Sequence, residues 1–442
     1  MFEKKLKKKG KKVVVLGLDG VPYSLLNRFA DDGTMPNVGK LRDEGTLRSM
    51  TASIPEVSST SWSTFMTGVN PGRHGIYGFM ELEQERYSWK FPNFNDLKSR
   101  TLWERAGNEN KKSIVLNVPS TYPARPLSGM LVSGFVALDL KKASYPDKLF
   151  HYLNGIGYKL DVDASKAAKS PDDFVSDLIG TLRKRIEAFN YLYEKEEWDL
   201  FIATITETDR LHHYFWEALD DLSHAQHDFF INFYRELDTF IGNFYKRVDP
   251  DIPFVMLSDH GFTGIKKEIN LNAFLQEKNY LRFDKPNPES FSDMSRDSRA
   301  FVLDPSRVYI HKDGKYSRGC VQEHEYHELR NTLKKDLLSL SVNGEVVLKN
   351  VFFKEELYNG NYLSDAPDLI LLSKEGFDLK GTIKKKGLSD RSVLTGCHTR
   401  ENAMFYINRK VICHEPNIID VGSTVLQLLG IPTDGMEGKP LL

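Results

Sequence analysis

The run Pro253-Phe254-Val255-Met256-Leu257 is apolar and of strand length, and after Ser258 it stops abruptly in Asp259 and His260. A charged pair directly after a buried strand needs a partner. Carboxylate oxygen beside imidazole nitrogen suits Zn²⁺ or Mn²⁺ better than Mg²⁺ or Ca²⁺, which prefer all-oxygen shells, but two residues do not hold an ion alone. The same layout recurs at Val13 to Leu18, which ends in Asp19-Gly20, and at Asp199 to Ile205, which leads into Asp209 and His213. His398 follows Gly396-Cys397. These six groups are enough for two metal sites. Ser58, Ser59, Thr60 and Ser61 precede Trp62, Phe65 and Met66 at helical spacing, so four hydroxyls sit at a helix N-terminus. One hydroxyl held against a metal can be deprotonated and attack phosphorus while the helix N-terminus receives the anion. The residues alone do not say which.

Taken singly, each group has an ordinary use. Asp19 can cap a helix, as can the hydroxyls. Asp209 and His213, four apart, share one helix face and can form a surface pair, whereas His212 points elsewhere. His398 can be a loop histidine. Convergence is what would make them a site, and convergence depends on the elements behind them.

Val13 to Leu18 is β-branched and apolar throughout, as expected of a strand covered on both faces. Further strands are predicted over Ser113 to Val118, Leu131 to Phe135 and Ala403 to Ile407. Helices are predicted from Pro36 with Gly45 just past the end, between Pro171 and Glu196, where apolar positions fall three or four apart, and from about Ile418 to Leu429. This alternation is that of an α/β protein with a mostly parallel sheet flanked by helices, and in such a sheet the chemistry lies at the C-terminal strand ends. After Phe262 the pattern loosens into a polar region up to about Ala300. Short signals then resume at Arg307 to His311, Glu323 to Leu340 and Pro367 to Leu372. Residues 266–393 are read as a smaller cap inserted into a core of residues 13–265 and 394–442, with residues 1–12 a basic tail given no function.

The chain has 442 residues, about 40% apolar and 27% charged, with a formal net charge of -1. Near-zero charge argues against a dedicated nucleic-acid binder. Three widely separated cysteines, Cys320, Cys397 and Cys413, fit a reducing compartment. No apolar run is long enough to span a membrane, and a cytoplasmic location is expected.

In order along the chain, Leu18-Asp19-Gly20, the hydroxyl stretch ending Thr67-Gly68, Pro71-Gly72-Arg73-His74-Gly75-Ile76, Asp209 to His213, Ser258-Asp259-His260-Gly261 and Gly396-Cys397-His398 resemble the alkaline phosphatase superfamily. They resemble its type I phosphodiesterase/nucleotide pyrophosphatase branch in particular. The resemblance implies a hydrolase of phosphate esters, a phosphodiester or nucleotide pyrophosphate bond being favoured, with two divalent ions, Zn favoured and Mn possible. Asp209, His213 and His398 would surround one ion; Asp19, Asp259 and His260 would hold the other. Ser58 falls on the nucleophile, with Ser59 and Thr60 as fallbacks, and a phosphoserine intermediate follows. Members commonly have threonine there, with proline two on and asparagine three on to hold phosphoryl oxygens; here those positions are Ser58, Thr60 and Ser61. A phosphomonoesterase or phosphomutase-like phosphotransferase on the same scaffold, and a non-catalytic metal-stabilised binding protein, stay open as alternatives. Arg210 and Arg400 are weaker candidates for holding phosphate oxygens, a solvated surface arginine being the favoured reading of each. Tyr214, Phe215 and Trp216 can stack a leaving group or pack a helix core.

Overall fold

Unbroken apolar runs fold where both faces are covered. In the computed structural model, which describes residues 11–411 and 415–442, they lie side by side in an eight-stranded sheet. Its order is Thr46–Met50, Ala403–Ile407, Phe254–Leu257, Val13–Leu18, Leu200–Ile205, Ser113–Val118, Gly129–Ser133 and Ser144–Tyr145. The five strands from Phe254–Leu257 to Gly129–Ser133 are parallel. Ala403–Ile407 pairs antiparallel with both its neighbours, as Ser144–Tyr145 does with Gly129–Ser133. Residues 1–10 of the basic tail, and Cys413, lie outside the described residues.

Strand alternation divides the core into two layers. Val14, Leu16 and Leu18 face one apolar cluster, built with the helices Pro171–Lys195 and His227–Tyr245. Val13 and Val15 face another, built with Ser58–Thr67 and Ile418–Leu429. Fully burying each such side chain contributes about 1.5–3 kcal/mol. The sheet is thereby fixed from both sides. Because Phe254–Leu257, Val13–Leu18 and Leu200–Ile205 are adjacent and parallel, in register Gly17↔Leu257 and Leu18↔Ile205, their C-terminal ends share one edge.

Residues 263–300 differ from the loose polar region expected of them. They contain the second half of the strand Gly261–Gly264, the strand Lys267–Asn270 and the helix Leu271–Glu277. Their apolar residues are few, and distant partners bury them. Ile269, Leu271, Phe274 and Leu275 join Val302, Val308, Leu333 and Leu371 in an apolar cluster of their own, which also takes in Leu82 and Tyr87. A four-stranded sheet, Ala300–Leu303, Arg307–Ile310, Leu369–Ser373 and Leu348–Phe353, backs it. The strand expected over Leu131 to Phe135 sits two residues earlier, at Gly129–Ser133.

One buried ion pair positions functional residues. Arg185 and Glu207, with side chains 0% and 1% exposed, meet at 2.6 Å, and Arg185 Nη1 also donates to Tyr158 Oη at 2.6 Å. Glu207 opens the helix Glu207–Phe215, which carries Asp209 and His213. Arg185→Met would leave Glu207 charged, buried and unpaired. The expected loss is about 3–5 kcal/mol of stability, read by urea unfolding.

Candidate active site

Three strand ends deliver the acids. Asp19 follows Val13–Leu18, Asp259 and His260 follow Phe254–Leu257, and Asp209 lies in the helix after Leu200–Ile205. His398 arrives differently, on the strand Gly396–Thr399, which pairs antiparallel with Gly261–Gly264 and sets His398 opposite Phe262. Gly20, at φ +66°, turns the chain after Asp19, a conformation that disfavours a Cβ, and its amide donates to Asp259 Oδ1 at 3.0 Å.

All six groups converge. Asp209 Oδ1 lies 3.4 Å from His213 Nε2, 3.4 Å from His398 Nε2 and 4.0 Å from His260 Nε2. Asp259 Oδ2 and Asp19 Oδ1 lie 3.4 Å and 3.8 Å from His260 Nε2. Potential ligand atoms fall into two groups, Asp209, His213 and His398, and Asp19, Asp209 and His260, with every atom of a group within 4.8 Å of the others. Asp209 is common to both. Ser58 Oγ stands beside the second group, donating to Asp19 Oδ1 at 3.3 Å and 3.1 Å from His260 Nε2.

The donor set fits cations. His213 Nδ1 faces Gly396 O, His260 Nδ1 faces Gly261 O and His398 Nδ1 faces Glu56 O, at 3.1, 3.0 and 2.8 Å. Each imidazole therefore donates Nδ1–H to a backbone carbonyl and turns the Nε2 lone pair inward, as ligating histidines do. His213 Nε2 and His398 Nε2 are 3.1 Å apart, and two inward lone pairs at that distance call for a positive charge between them. Asp209 Oδ1 and Asp259 Oδ2 are buried with no hydrogen-bond partner among the described residues. Burial, then the charges of Asp259 and Asp209, push Asp19 well above the usual carboxylate range, and burial pushes Asp259 up to about 6. Burial also lowers His260 to about 3 and His213 to about 4. Burial pulls Asp209 upward too, but His213, His398 and Arg210 outweigh it and hold that carboxylate low. The cluster is crowded with acceptors that a divalent cation would satisfy.

The hydroxyls separate cleanly. The helix Ser58–Thr67 begins after Val57, and no hydroxyl caps it, so the ordinary capping use open to the four is not the one they serve. Ser58, in its first turn, points at the acids instead. Ser59 Oγ and Thr60 Oγ1 are buried and have no hydrogen-bond partner among the described residues. Ser61 Oγ lies 2.7 Å from Ser53 Oγ in a fully buried residue. Arg210 is not a solvated surface arginine. It grips Asp161 with Nη2 at 2.6 Å, stacks on Phe135 and lies 3.6 Å from Asp209 Oδ2. Arg400 lies 3.8 Å from Glu401, and no contact joins its side chain to Ser58. His212 turns away toward Gly20 O and Tyr234 Oη. Tyr214 and Phe215 pack on Phe174, and Trp216 stacks on Phe262, which is core packing.

The spacing gave no hint of Trp62. It falls at a core position of its helix, yet its Nε1 donates to Asp19 Oδ2 at 2.9 Å. Gly17 makes room for it, since a Cβ there would stand 2.5 Å from Trp62 Cη2. Trp62→Phe removes this donor while keeping an aromatic ring. We expect metal affinity to fall about 10–100-fold, measured by competition with a chromogenic chelator.

A mostly parallel sheet whose C-terminal edge gathers aspartates, histidines and a helix-borne serine defines an alkaline phosphatase-like fold. Solved structures agree on the fold. Phosphonoacetate hydrolase from Sinorhizobium meliloti 1021, in complex with phosphonoacetate, is 16% identical with a TM-score of 0.65, covering 95% of this chain and 96% of that one. Human ectonucleotide pyrophosphatase / phosphodiesterase 5 is 15% identical with a TM-score of 0.58, covering 97% of each chain. No curated relative matches the sequence. The chain belongs to the type I phosphodiesterase / nucleotide pyrophosphatase family, whose sequence profile matches residues 13–401. It is an enzyme, a hydrolase acting on phosphate ester bonds, of a metal-dependent family. No helix of the described residues is long and apolar enough to cross a membrane.

Proposed function

We propose that the enzyme cleaves a phosphodiester or nucleotide pyrophosphate bond through a phosphoserine formed on Ser58. Asp209, His213 and His398 would hold one divalent ion, and Asp19, Asp259 and His260 the other. Bound there, such ions supply Lewis-acid charge beside the attacking and departing oxygens. Zinc is favoured because the donors are imidazole and carboxylate, and manganese is the alternative. The first turn of Ser58–Thr67 directs unpaired amides toward the phosphoryl oxygens. Ser58 Oγ attacks phosphorus, with Asp19 Oδ1 within reach of its proton. Water then hydrolyses the phosphoserine and restores the hydroxyl. Arg210, tied to Asp161 and close to Asp209, orients that carboxylate.

The observation that supports this reading most is that, of the four hydroxyls at the helix start, only Ser58 makes contacts with the acids and imidazoles of the cluster. Residues 266–393 act as a cap over the site, contributing the Phe377–Lys380 strand to a cavity that reaches His213 and His398. Phosphomonoesterase action by the same serine is a second reading, supported by the contact of Ser61 with Ser53, which occupies the hydroxyl standing where relatives place a phosphoryl-holding asparagine. Zinc- or manganese-loaded protein on bis(p-nitrophenyl) phosphate and p-nitrophenyl phosphate separates the two. A higher kcat/KM on the diester is expected, and the reverse order would overturn the diesterase assignment.

A further inference from the structure

We propose that Phe262 is a positioning residue for both ions, its ring being the one packing neighbour shared by the three imidazoles that would hold them. This deepens, and rests on, the two-ion reading proposed above. Phe262, 2% exposed, lies on the strand Gly261–Gly264, two residues after His260. Its ring centroid stands 4.9 Å from that of His213, 5.2 Å from that of His398 and 5.9 Å from that of His260. His213 and His398 belong to one group of potential ligands and His260 to the other. One apolar side chain therefore packs against both.

The ring itself has little room to move. Trp216 stacks on it at 5.6 Å and 27°, and His212 meets it at 5.0 Å and 63°. Two glycines let it in: a Cβ at Gly396 would stand 2.7 Å from Phe262 Cε1, and a Cβ at Gly20 would stand 3.1 Å from Phe262 Cδ2. Both lie at ligands, since Gly20 follows Asp19 and Gly396 O accepts from His213 Nδ1 at 3.1 Å. The Nδ1–H bonds of the three histidines fix each tautomer and aim each Nε2 inward. What those bonds do not remove is the repulsion this creates, with His213 Nε2 and His398 Nε2 turning lone pairs on each other at 3.1 Å. Nitrogens bound at about 2.0–2.1 Å to one zinc ion stand no more than about 4.2 Å apart. The observed separation is therefore one that a single ion bridges, and it must be held before the ion arrives. Packing against a confined ring holds it. Dispersion contacts are short-ranged, a gap of about 0.5–1 Å forfeiting about a quarter to a half of the attraction. A smaller side chain at position 262 would free all three imidazoles to relax, with every ligand atom still present.

The test compares Phe262→Leu with Phe189→Leu in the full-length chain. Phe189 is 0% exposed, sits in the core cluster with the helix Pro171–Lys195 and has Phe240 as its ring partner, so it controls for the loss of a buried ring. Both variants are expected to lower the Tm of the metal-free protein. Only Phe262→Leu is expected to weaken zinc at each of the two sites, by about 10–100-fold in competition with a chromogenic chelator, and to shift the visible absorption of the Co²⁺-loaded protein. Zinc affinity and cobalt absorption equal to the parent's in Phe262→Leu overturn the positioning role, and so does an equal loss of affinity in Phe189→Leu. If Phe262→Leu does not fold, 4-fluorophenylalanine placed at position 262 alone decides: its ¹⁹F resonance is expected to move as zinc is added, and a resonance that zinc leaves unmoved overturns the role. A parent that binds two zinc ions, with Phe262→Leu binding them as tightly, loses the positioning role only. A parent that binds none overturns the two-ion reading and the positioning role with it.

Discussion

Replacing Ser58 by alanine is expected to lower kcat by about 10⁴-fold or more, the scale seen when a nucleophile that acts as part of a unit is removed. The reasoning is geometric. Ser58 Oγ is 3.3 Å from Asp19 Oδ1 and 3.1 Å from His260 Nε2, while Thr60, with no exposed surface, and Ser59, 2% exposed, make no side-chain hydrogen bond among the described residues. The fold should survive, because losing one hydroxyl from a first-turn position leaves the cap at Val57 unchanged. Thr60→Ala and Ser59→Ala are accordingly expected to stay within about tenfold of the parent, since neither hydroxyl contacts the cluster. Ser58→Thr should retain a measurable rate, because the nucleophilic oxygen remains. Acid-quenched turnover with a ³²P-labelled ester should trap phosphate on the parent and none on Ser58→Ala. An alanine variant as active as the parent, or label recovered on Ser59 or Thr60, would reassign the nucleophile.

Five of the six clustered groups were legible because they sit in or next to recognisable elements. Asp19, Asp259 and His260 each follow an apolar strand, and Asp209 and His213 share a helix face whatever that helix packs against. What the residues do not carry is adjacency. Nothing local in Val13–Leu18 says that Phe254–Leu257 lies on one side and Leu200–Ile205 on the other, and that order is what brings Asp209 to the His260 imidazole. His398 was harder, since Gly396–Thr399 pairs only with Gly261–Gly264, two short segments without strand-like patterning. Trp62 carried no signal of its contact with Asp19, because burial and a hydrogen bond to a carboxylate leave the same mark at a core helix position. The strands and helix of residues 263–300 failed for a related reason: Ile269 and Leu275 become core only when Val302 and Leu371 arrive, and contacts at that separation leave no period to read.

Chelation is the second large effect, and it acts on stability and rate together. Without a cation the protein keeps Asp19, Asp209 and Asp259 buried in one cluster, with burial and mutual repulsion raising Asp19 and Asp259, and with His213 Nε2 and His398 Nε2 facing each other at 3.1 Å. That arrangement is unfavourable on its own, so binding energy for a divalent ion is stored in the folded state and largely absent from the unfolded chain. An ion present at 1,000 times its Kd stabilises by about 4 kcal/mol per site. Exhaustive dialysis against a chelator should therefore lower Tm by several degrees and reduce turnover to background, and stoichiometric zinc or manganese should restore both. Elemental analysis of the reloaded protein should return two ions per chain, and one for Asp209→Asn if Asp209 belongs only to the group with His213 and His398. Loss of both ions in Asp209→Asn would instead make this carboxylate a bridge, in keeping with Asp209 Oδ1 lying 3.4 Å from His398 Nε2 and 4.0 Å from His260 Nε2. Full activity after chelation, with Tm unmoved, would mean that the six groups hold no catalytic ion, and the phosphoserine chemistry would lose its electrophilic support.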